Sequence, residues 1–170
     1  LVARYDNADG TGQYVLTLAQ APGKITVPAG DEGGPIVNGS NYTGKILRGD
    51  LDQWTFTAAA GDAISLTVSE AGTNTAFQPW IRVHGPNGNL MGGSNGNLSA
   101  EVDFTAPLAG TYTVLIARYD NADGIGQYVL TLAQARGNVT VPAGDEGGPI
   151  VNGGNYTGKI LRGDLDQWTF

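Results

Sequence analysis

The first 56 residues of the chain return as its last 56. Residues 1–56 align with residues 115–170 at a constant offset of 114, and six aligned pairs differ: Val2/Ile116, Thr11/Ile125, Pro22/Arg136, Lys24/Asn138, Ile25/Val139 and Ser40/Gly154. A fixed internal period constrains the fold more than any local signal, because each period must be one structural unit. A unit of 114 residues is the size of an ordinary domain with its own core. Short solenoid repeats of ~20–50 residues are thereby excluded. The chain reads as a stretch of a tandem array. Residues 1–27 are expected to be the C-terminal part of a preceding repeat. Residues 28–141 are expected to be one complete domain with its N-terminal linker, and residues 142–170 the linker and N-terminal part of the following repeat. Both chain ends are then expected to fall inside strands, in residues 1–6 and at Phe170.

Within the unit the apolar residues recur at period two, the signature of half-buried strands. Gln13–Gln20 places Tyr14, Leu16 and Leu18 on one face, and Gln127–Gln134 repeats it. Thr43–Leu47, Gln53–Thr57, Ala63–Ser69, Pro79–His84, Leu98–Thr105 and Thr111–Tyr119 read as further strands. In these, Trp54, Phe56, Ile64, Leu66, Val68, Val102 and Phe104 are expected inward. Turns rich in Gly, Asn and Asp separate them, at 48–52, 60–62 and 85–89. Val27–Pro35, with two prolines, three glycines and no apolar periodicity, reads as a linker. About eight short strands at ~8–14-residue spacing without a helical pattern predict an all-β sandwich.

The net charge of −7 argues against nucleic acid or an anionic membrane surface as partner. No apolar run reaches the ~18 residues of a membrane span, so no membrane insertion is expected. The chain has no cysteine and a single histidine, His84, set in a strand pattern beside Arg82. Neither a metalloprotease helix motif nor a Gly-x-Ser-x-Gly elbow occurs, so no enzyme is expected. Trp54, Trp80 and Trp168 are the residues that could offer a sugar-binding platform; Trp54 alternates with Phe56 as a core residue does, which leaves Trp80 as the better surface candidate.

Several segments together carry a family resemblance. They are Gly44-Lys45-Ile46-Leu47-Arg48-Gly49-Asp50-Leu51-Asp52-Gln53-Trp54-Thr55-Phe56, Ala59-Ala60-Gly61-Asp62-Ala63-Ile64-Ser65-Leu66-Thr67-Val68 and Trp80-Ile81-Arg82-Val83-His84-Gly85-Pro86-Asn87-Gly88. Ala109-Gly110-Thr111-Tyr112-Thr113-Val114 and Gly126-Gln127-Tyr128-Val129-Leu130-Thr131-Leu132 complete the set. In order and spacing, residues 31–135 resemble the bacterial pre-peptidase C-terminal domain, and more distantly the collagen-binding domains of clostridial collagenases. The resemblance implies jelly-roll-like antiparallel β-sandwich domains in tandem, on secreted or cell-surface proteins. The collagenase relatives use a calcium site near the N-terminal linker. Carried onto this chain, its acids are Asp31, Glu32, Asp50 and Asp52, repeated as Asp145, Glu146, Asp164 and Asp166. Calcium needs 6–8 oxygens, which acids clustered in glycine-rich turns can provide. The competing reading has Asp50 closing its own turn and Asp52 solvated. Gly33-Gly34-Pro35 stands where the collagenase pattern has further ligands. No other cofactor is expected.

Other motifs have plainer readings. Asp6–Gly12 and Asp120–Gly126 have the glycine of a calcium loop but lack its fifth and twelfth ligands, and read as hairpin turns. Arg48-Gly49-Asp50 and Arg162-Gly163-Asp164 spell an integrin-type tripeptide, although the turn of the resembled family already requires the Gly-Asp pair. Asn41, Asn97, Asn138 and Asn155 stand in glycosylation triplets, as does Asn38. The leading expectation is an extracellular structural protein, a filament, stalk or surface layer of end-to-end sandwiches whose partners are neighbouring copies of the same repeat. The alternative is a secreted adhesin or accessory module that binds a collagen-like or polysaccharide ligand.

Overall fold

The computed structural model describes residues 11–72, 77–119, 125–136 and 139–170. Their strands are β1 (Gly33–Pro35), β2 (Asn41–Ile46), β3 (Asp52–Ala58), β4 (Ala63–Glu70), β5 (Pro79–His84) and β6 (Leu90–Asn95). They continue with β7 (Ser99–Thr105), β8 (Gly110–Arg118), β9 (Gly126–Ala135), β10 (Gly147–Pro149) and β11 (Gln167–Thr169). One sheet has the order β1-β3-β8-β5-β6 and faces a second with the order β2-β9-β4-β7. The all-β sandwich expected from the alternation is the observed architecture. Its pairings are antiparallel except at β1, which runs parallel to β3.

The core lies between the sheets and is built by the inward positions of each strand. Trp54 and Phe56 of β3 and Ile64, Leu66 and Val68 of β4 meet Tyr112, Val114 and Ile116 of β8 and Tyr128, Leu130 and Leu132 of β9. Phe56 stacks on Tyr112 at 5.2 Å between ring centres, and Phe104 tilts against the same ring at 5.6 Å. The Tyr112 hydroxyl donates to Leu108 O at 2.7 Å, so the ring enters the core with its polar end satisfied.

Four sequence expectations are corrected here. Gln13–Gln20 forms no strand, although Gln127–Gln134, with the same eight residues, lies within β9. A strand holds only when its backbone groups find partners. β9 is bracketed by β2 and β4; no second β4 lies beside 13–20 among the described residues. Tyr14 is accordingly 69% exposed, whereas Tyr128 is 0%. Asn155–Ile160 repeats β2 without forming a strand, and Ile160 is 64% exposed where Ile46 is 1%. The linker 27–35 ends in β1, whose Gly33, Gly34 and Pro35 pair with Gln53, Trp54 and Thr55; a three-residue strand without alternation has no periodic signal. Finally, Leu90–Asn95 is a strand that its Gly92-Gly93 pair concealed; a Cβ at Gly92 would lie 2.6 Å from Val102 Cγ1, so the glycine is there for close approach. The strand expected in residues 1–6 lies outside the described residues.

Candidate metal centre

The acids of the linker and of the 48–52 turn come together at one end of the sandwich. β1 carries the linker alongside β3, and Asp52 is the first residue of β3. This pairing brings Asp31, Glu32 and Asp52 within reach of one another, each offering a carboxylate oxygen within 4.8 Å of the others. In the second copy β10 pairs with β11 in the same parallel register, Gly147 with Gln167 and Gly148 with Trp168. There Asp145, Asp164 and Asp166 form the equivalent group. Between them the two groups contain all four repeated acid positions. Asp50 stands outside the first because its carboxylate closes the turn, accepting from Leu47 N at 3.1 Å and Leu51 N at 2.9 Å. Asp164 makes the same bond to Leu161 N at 3.1 Å, but its Oδ1 is buried without a partner. Glu146 is not one of the second three, although it contributes to their negative field.

Asp52 is the centre of the arrangement and corrects the reading in which it is solvated. It is fully buried. Its Oδ2 accepts a short hydrogen bond from the Tyr128 hydroxyl, which in turn accepts from Trp54 Nε1 at 2.9 Å. Its Oδ1 has no hydrogen-bond partner. Burial pushes the Asp52 carboxyl up to about 7, the Tyr128 bond opposes this, and the negative charges of Asp50, Asp31 and Glu32 add to it. Desolvation and the Asp52 carboxylate raise the Tyr128 hydroxyl well above its usual range. Asp166 is also raised, by desolvation first and then by Asp164, Glu146 and Asp145. A buried carboxylate oxygen without a donor, beside two further carboxylates, is costly unless a cation meets it. Oxygens that share one calcium at ~2.3–2.6 Å can be at most about 5 Å apart, a limit that the 4.8 Å grouping meets. The donor set, all oxygen, suits calcium rather than a softer metal. Residues 15–18 and 25–28 wall a cleft of about 360 Å³ that also reaches Asp31, Glu32 and Asp50.

Solved structures place this arrangement in context. No protein-family model matches the chain, and no curated protein matches it by sequence. The pre-peptidase C-terminal domain of collagenase from Bacillus anthracis is similar to it with a TM-score of 0.50 and 24% identity, over 64% of this chain and 99% of that one. The sandwich has the fold of a pre-peptidase C-terminal domain. A periplasmic inhibitor of g-type lysozyme from Aeromonas hydrophila aligns at 16% identity and a TM-score of 0.48, over 60% of this chain and 95% of that one. Within the pre-peptidase C-terminal fold the acid group lies where the linker enters β1 and the 48–52 turn enters β3.

Sequence reading missed Tyr128 and the Trp54 indole as parts of this centre. A tyrosine placed among leucines on an inward face is a usable signal, since its buried hydroxyl needs a partner. It also missed the buried carboxyl of Asp62, which accepts from Ala59 N at 2.8 Å and Gln134 Nε2 at 2.6 Å, bonds that hold it below its ordinary value. The remaining candidates fall elsewhere. His84 is half-buried with Nδ1 3.2 Å from Gly88 O. Trp54 is core, and Trp168 is half-buried against Tyr156 at 5.3 Å. Trp80 is half-buried with the Arg82 guanidinium 4.6 Å from its ring centre. Asn41 Nδ2 donates to Asp145 Oδ2 at 3.4 Å, Asn97 Oδ1 accepts from Gln78 at 3.3 Å, and Asn155 is exposed. Asn138, and residues 6–10 and 120–124 of the two loops, lie outside the described residues.

Proposed function

We propose that the protein is an extracellular structural protein in which pre-peptidase C-terminal-type sandwiches follow one another end to end, joined by calcium-bound linkers, to build a filament, stalk or surface layer. The observation that carries the reading is the junction, built twice in the same way 114 residues apart. Each copy sets a three-residue Gly-Gly-Pro strand parallel to the strand after the acidic turn. Each groups acids from the linker with acids from that turn or the strand after it. Identical junctions repeat one rotation and one translation, which generates a linear or helical assembly. Calcium, where bound, bridges the linker to the start of the following sandwich. Asp31, Glu32 and Asp52 would hold it in one copy, and Asp145, Asp164 and Asp166 in the next, with Asp50 and Glu146 close by. Millimolar calcium is an extracellular resource, to which sites of this kind are matched. Electron microscopy of the assembled protein is expected to show unbranched particles one sandwich wide, with an axial period of one unit. Compact particles without an axial period would overturn the reading.

A second reading, an accessory module binding collagen-like or polysaccharide ligands, is favoured by one observation. Trp80 and Arg82 form an aromatic and basic pair on β5, away from the acid groups. In that case retention on gelatin or an insoluble glycan should fall at least about tenfold in Trp80→Ala, the loss of a stacking anchor worth more than ~1.4 kcal/mol. Equal retention of parent and variant removes this reading.

A further inference from the structure

The integrin-type tripeptide has a partner inside this chain. Arg162-Gly163-Asp164 lies against the outer face of the four-stranded sheet, over β9 and β4. The Thr131 hydroxyl donates to Gly163 O at 2.8 Å. A Cβ added to Gly163 would stand 2.9 Å from Val129 Cβ and 3.2 Å from Ser69 Cβ, so only glycine lets the turn approach this closely. Thr131 and Ser69 point away from the core between the sheets, yet they are 0% and 4% exposed. The tripeptide's arginine reaches toward a buried acid. Glu70, at the end of β4, has a side chain only 1% exposed, and neither carboxylate oxygen has a hydrogen-bond partner. Arg162 Nη1 is 3.8 Å from its Oε2. A buried carboxylate without a partner is costly, and a cation beside it lowers that cost.

The same contact occurs 114 residues earlier. The Thr17 hydroxyl donates to Gly49 O at 3.1 Å, and a Cβ on Gly49 would stand 3.3 Å from Val15 Cβ. Thr17 and Val15 are the repeat equivalents of Thr131 and Val129, and Gly49 of Gly163. The contact persists at 13–20 even though those residues form no strand there. Two occurrences of one contact, in different surroundings, mark it as a property of the junction.

We propose that the Arg-Gly-Asp turn of each repeat is a docking knob for the outer sheet face of the repeat before it, with Val129, Thr131 and Ser69 as the receiving face and Glu70, on the opposite face at the end of β4, as the acid its arginine reaches. Its occupant is the 162–164 turn of the following repeat rather than an external receptor. The arginine neutralises Glu70, the glycine allows contact, and the aspartate shapes the turn. The proposal rests on the reading of the chain as consecutive repeats and names the surface that sets the angle between them.

The chain's lack of cysteine makes a spin-label distance measurement direct. Nitroxides on Thr57→Cys in the five-stranded sheet and Lys159→Cys beyond the junction report the placement of the turn; both positions are exposed. The 170-residue protein is expected to give one narrow distance distribution. Gly163→Ala and Arg162→Ala should each broaden it at least twofold. Gly153→Ala is the control: Gly153 has φ +80° against +78° at Gly163, but a Cβ there meets nothing within 4 Å. It should leave the distribution narrow. Near-ultraviolet circular dichroism from the buried Trp54 verifies that the sandwich stays folded in each variant. A broad distribution in the parent, or a narrow one in both Gly163→Ala and Arg162→Ala, overturns the docking. Neither result bears on whether the assembled protein has an axial period, so the failure of the knob and the failure of the filament are separately visible.

Discussion

Chelation at pH 8 is expected to lower the thermal midpoint of the calcium-loaded protein by about 10 °C, and chelation at pH 5 by far less. A ligand present at a hundred times its Kd stabilises the folded state by about 2.7 kcal/mol, and each kcal/mol moves the midpoint of a domain of this size by several degrees. The pH dependence comes from Asp52. Its carboxyl is raised from 3.8 to about 7 in the fold, mainly by burial. The folded state therefore binds that proton more tightly than the unfolded chain does. Its penalty on folding is absent below about pH 4, grows as the pH rises, and is complete above about pH 7, where it reaches on the order of 4 kcal/mol. Asp166, raised for the same reason, acts in the same direction. Calcium at the carboxylate removes the penalty at high pH, whereas at pH 5 it competes with a bound proton.

Asp52→Asn separates the two effects. The amide keeps an acceptor for the Tyr128 hydroxyl and carries no charge. In chelator at pH 8 the variant should melt above the parent, and calcium should stabilise it less than it does the parent, the second acid group being unchanged. Differential scanning calorimetry with calcium and with chelator reads both. A parent midpoint unmoved by chelator at pH 8 would remove the metal from the account, and equal shifts at the two pH values would remove Asp52 from it.

Gly44→Ala is expected to cost about 4 kcal/mol and the same change at Gly158 under about 1 kcal/mol, from overpacking and orphaned hydrogen bonds in the first case only. The two glycines occupy equivalent places in Asn-Tyr-Thr-Gly-Lys-Ile. Neither has a positive φ, so backbone strain does not distinguish them. What differs is the neighbour. A Cβ at Gly44 would fall 2.3 Å from Cζ and the hydroxyl oxygen of Tyr128. That ring is held by the Trp54 and Asp52 hydrogen bonds and is packed in the core. Either β2 separates from β9 or both bonds are lost. At Gly158 the first atom met is Asp166 Oδ2 at 2.7 Å, the far end of a side chain able to turn away. Denaturant unfolding of both variants in chelator measures the contrast. Equal costs would show that Tyr128 is free to move and is no fixed partner of Asp52.

Much of the sandwich was legible because each central strand pairs alternation with burial. Ala63–Ser69 reads inward at Ile64, Leu66 and Val68, and those residues are buried. β1 and β6 were not legible: one is three residues long and the other carries Gly92-Gly93, so neither has a period to read. The acids of the candidate centre could be named from the family resemblance, with the repeat supplying their second copies. Which of them face one another could not. Asp50 closes its own turn through local bonds, but only the pairing of β1 with β3 decides that Asp52 is buried beside Asp31 and Glu32.

The repeat separates what sequence dictates from what tertiary structure decides, because one sequence appears in two surroundings. Features whose partners lie no more than 32 residues apart along the chain recur in both copies. Asp50 accepts from Leu47 N and Asp164 from Leu161 N, both at 3.1 Å, and the ring contacts of Tyr42 with Trp54 and Tyr156 with Trp168 match at 5.4 and 5.3 Å. Features that need strands of the sandwich farther along the chain occur once. Gln127–Gln134 is a buried strand between β2 and β4, and its copy at 13–20 is exposed chain. Turn chemistry is settled by neighbours along the backbone, so sequence alone determined it. A strand's hydrogen bonds, and the burial that perturbs Asp52, depend on segments tens of residues away; only the assembled sandwich could decide them.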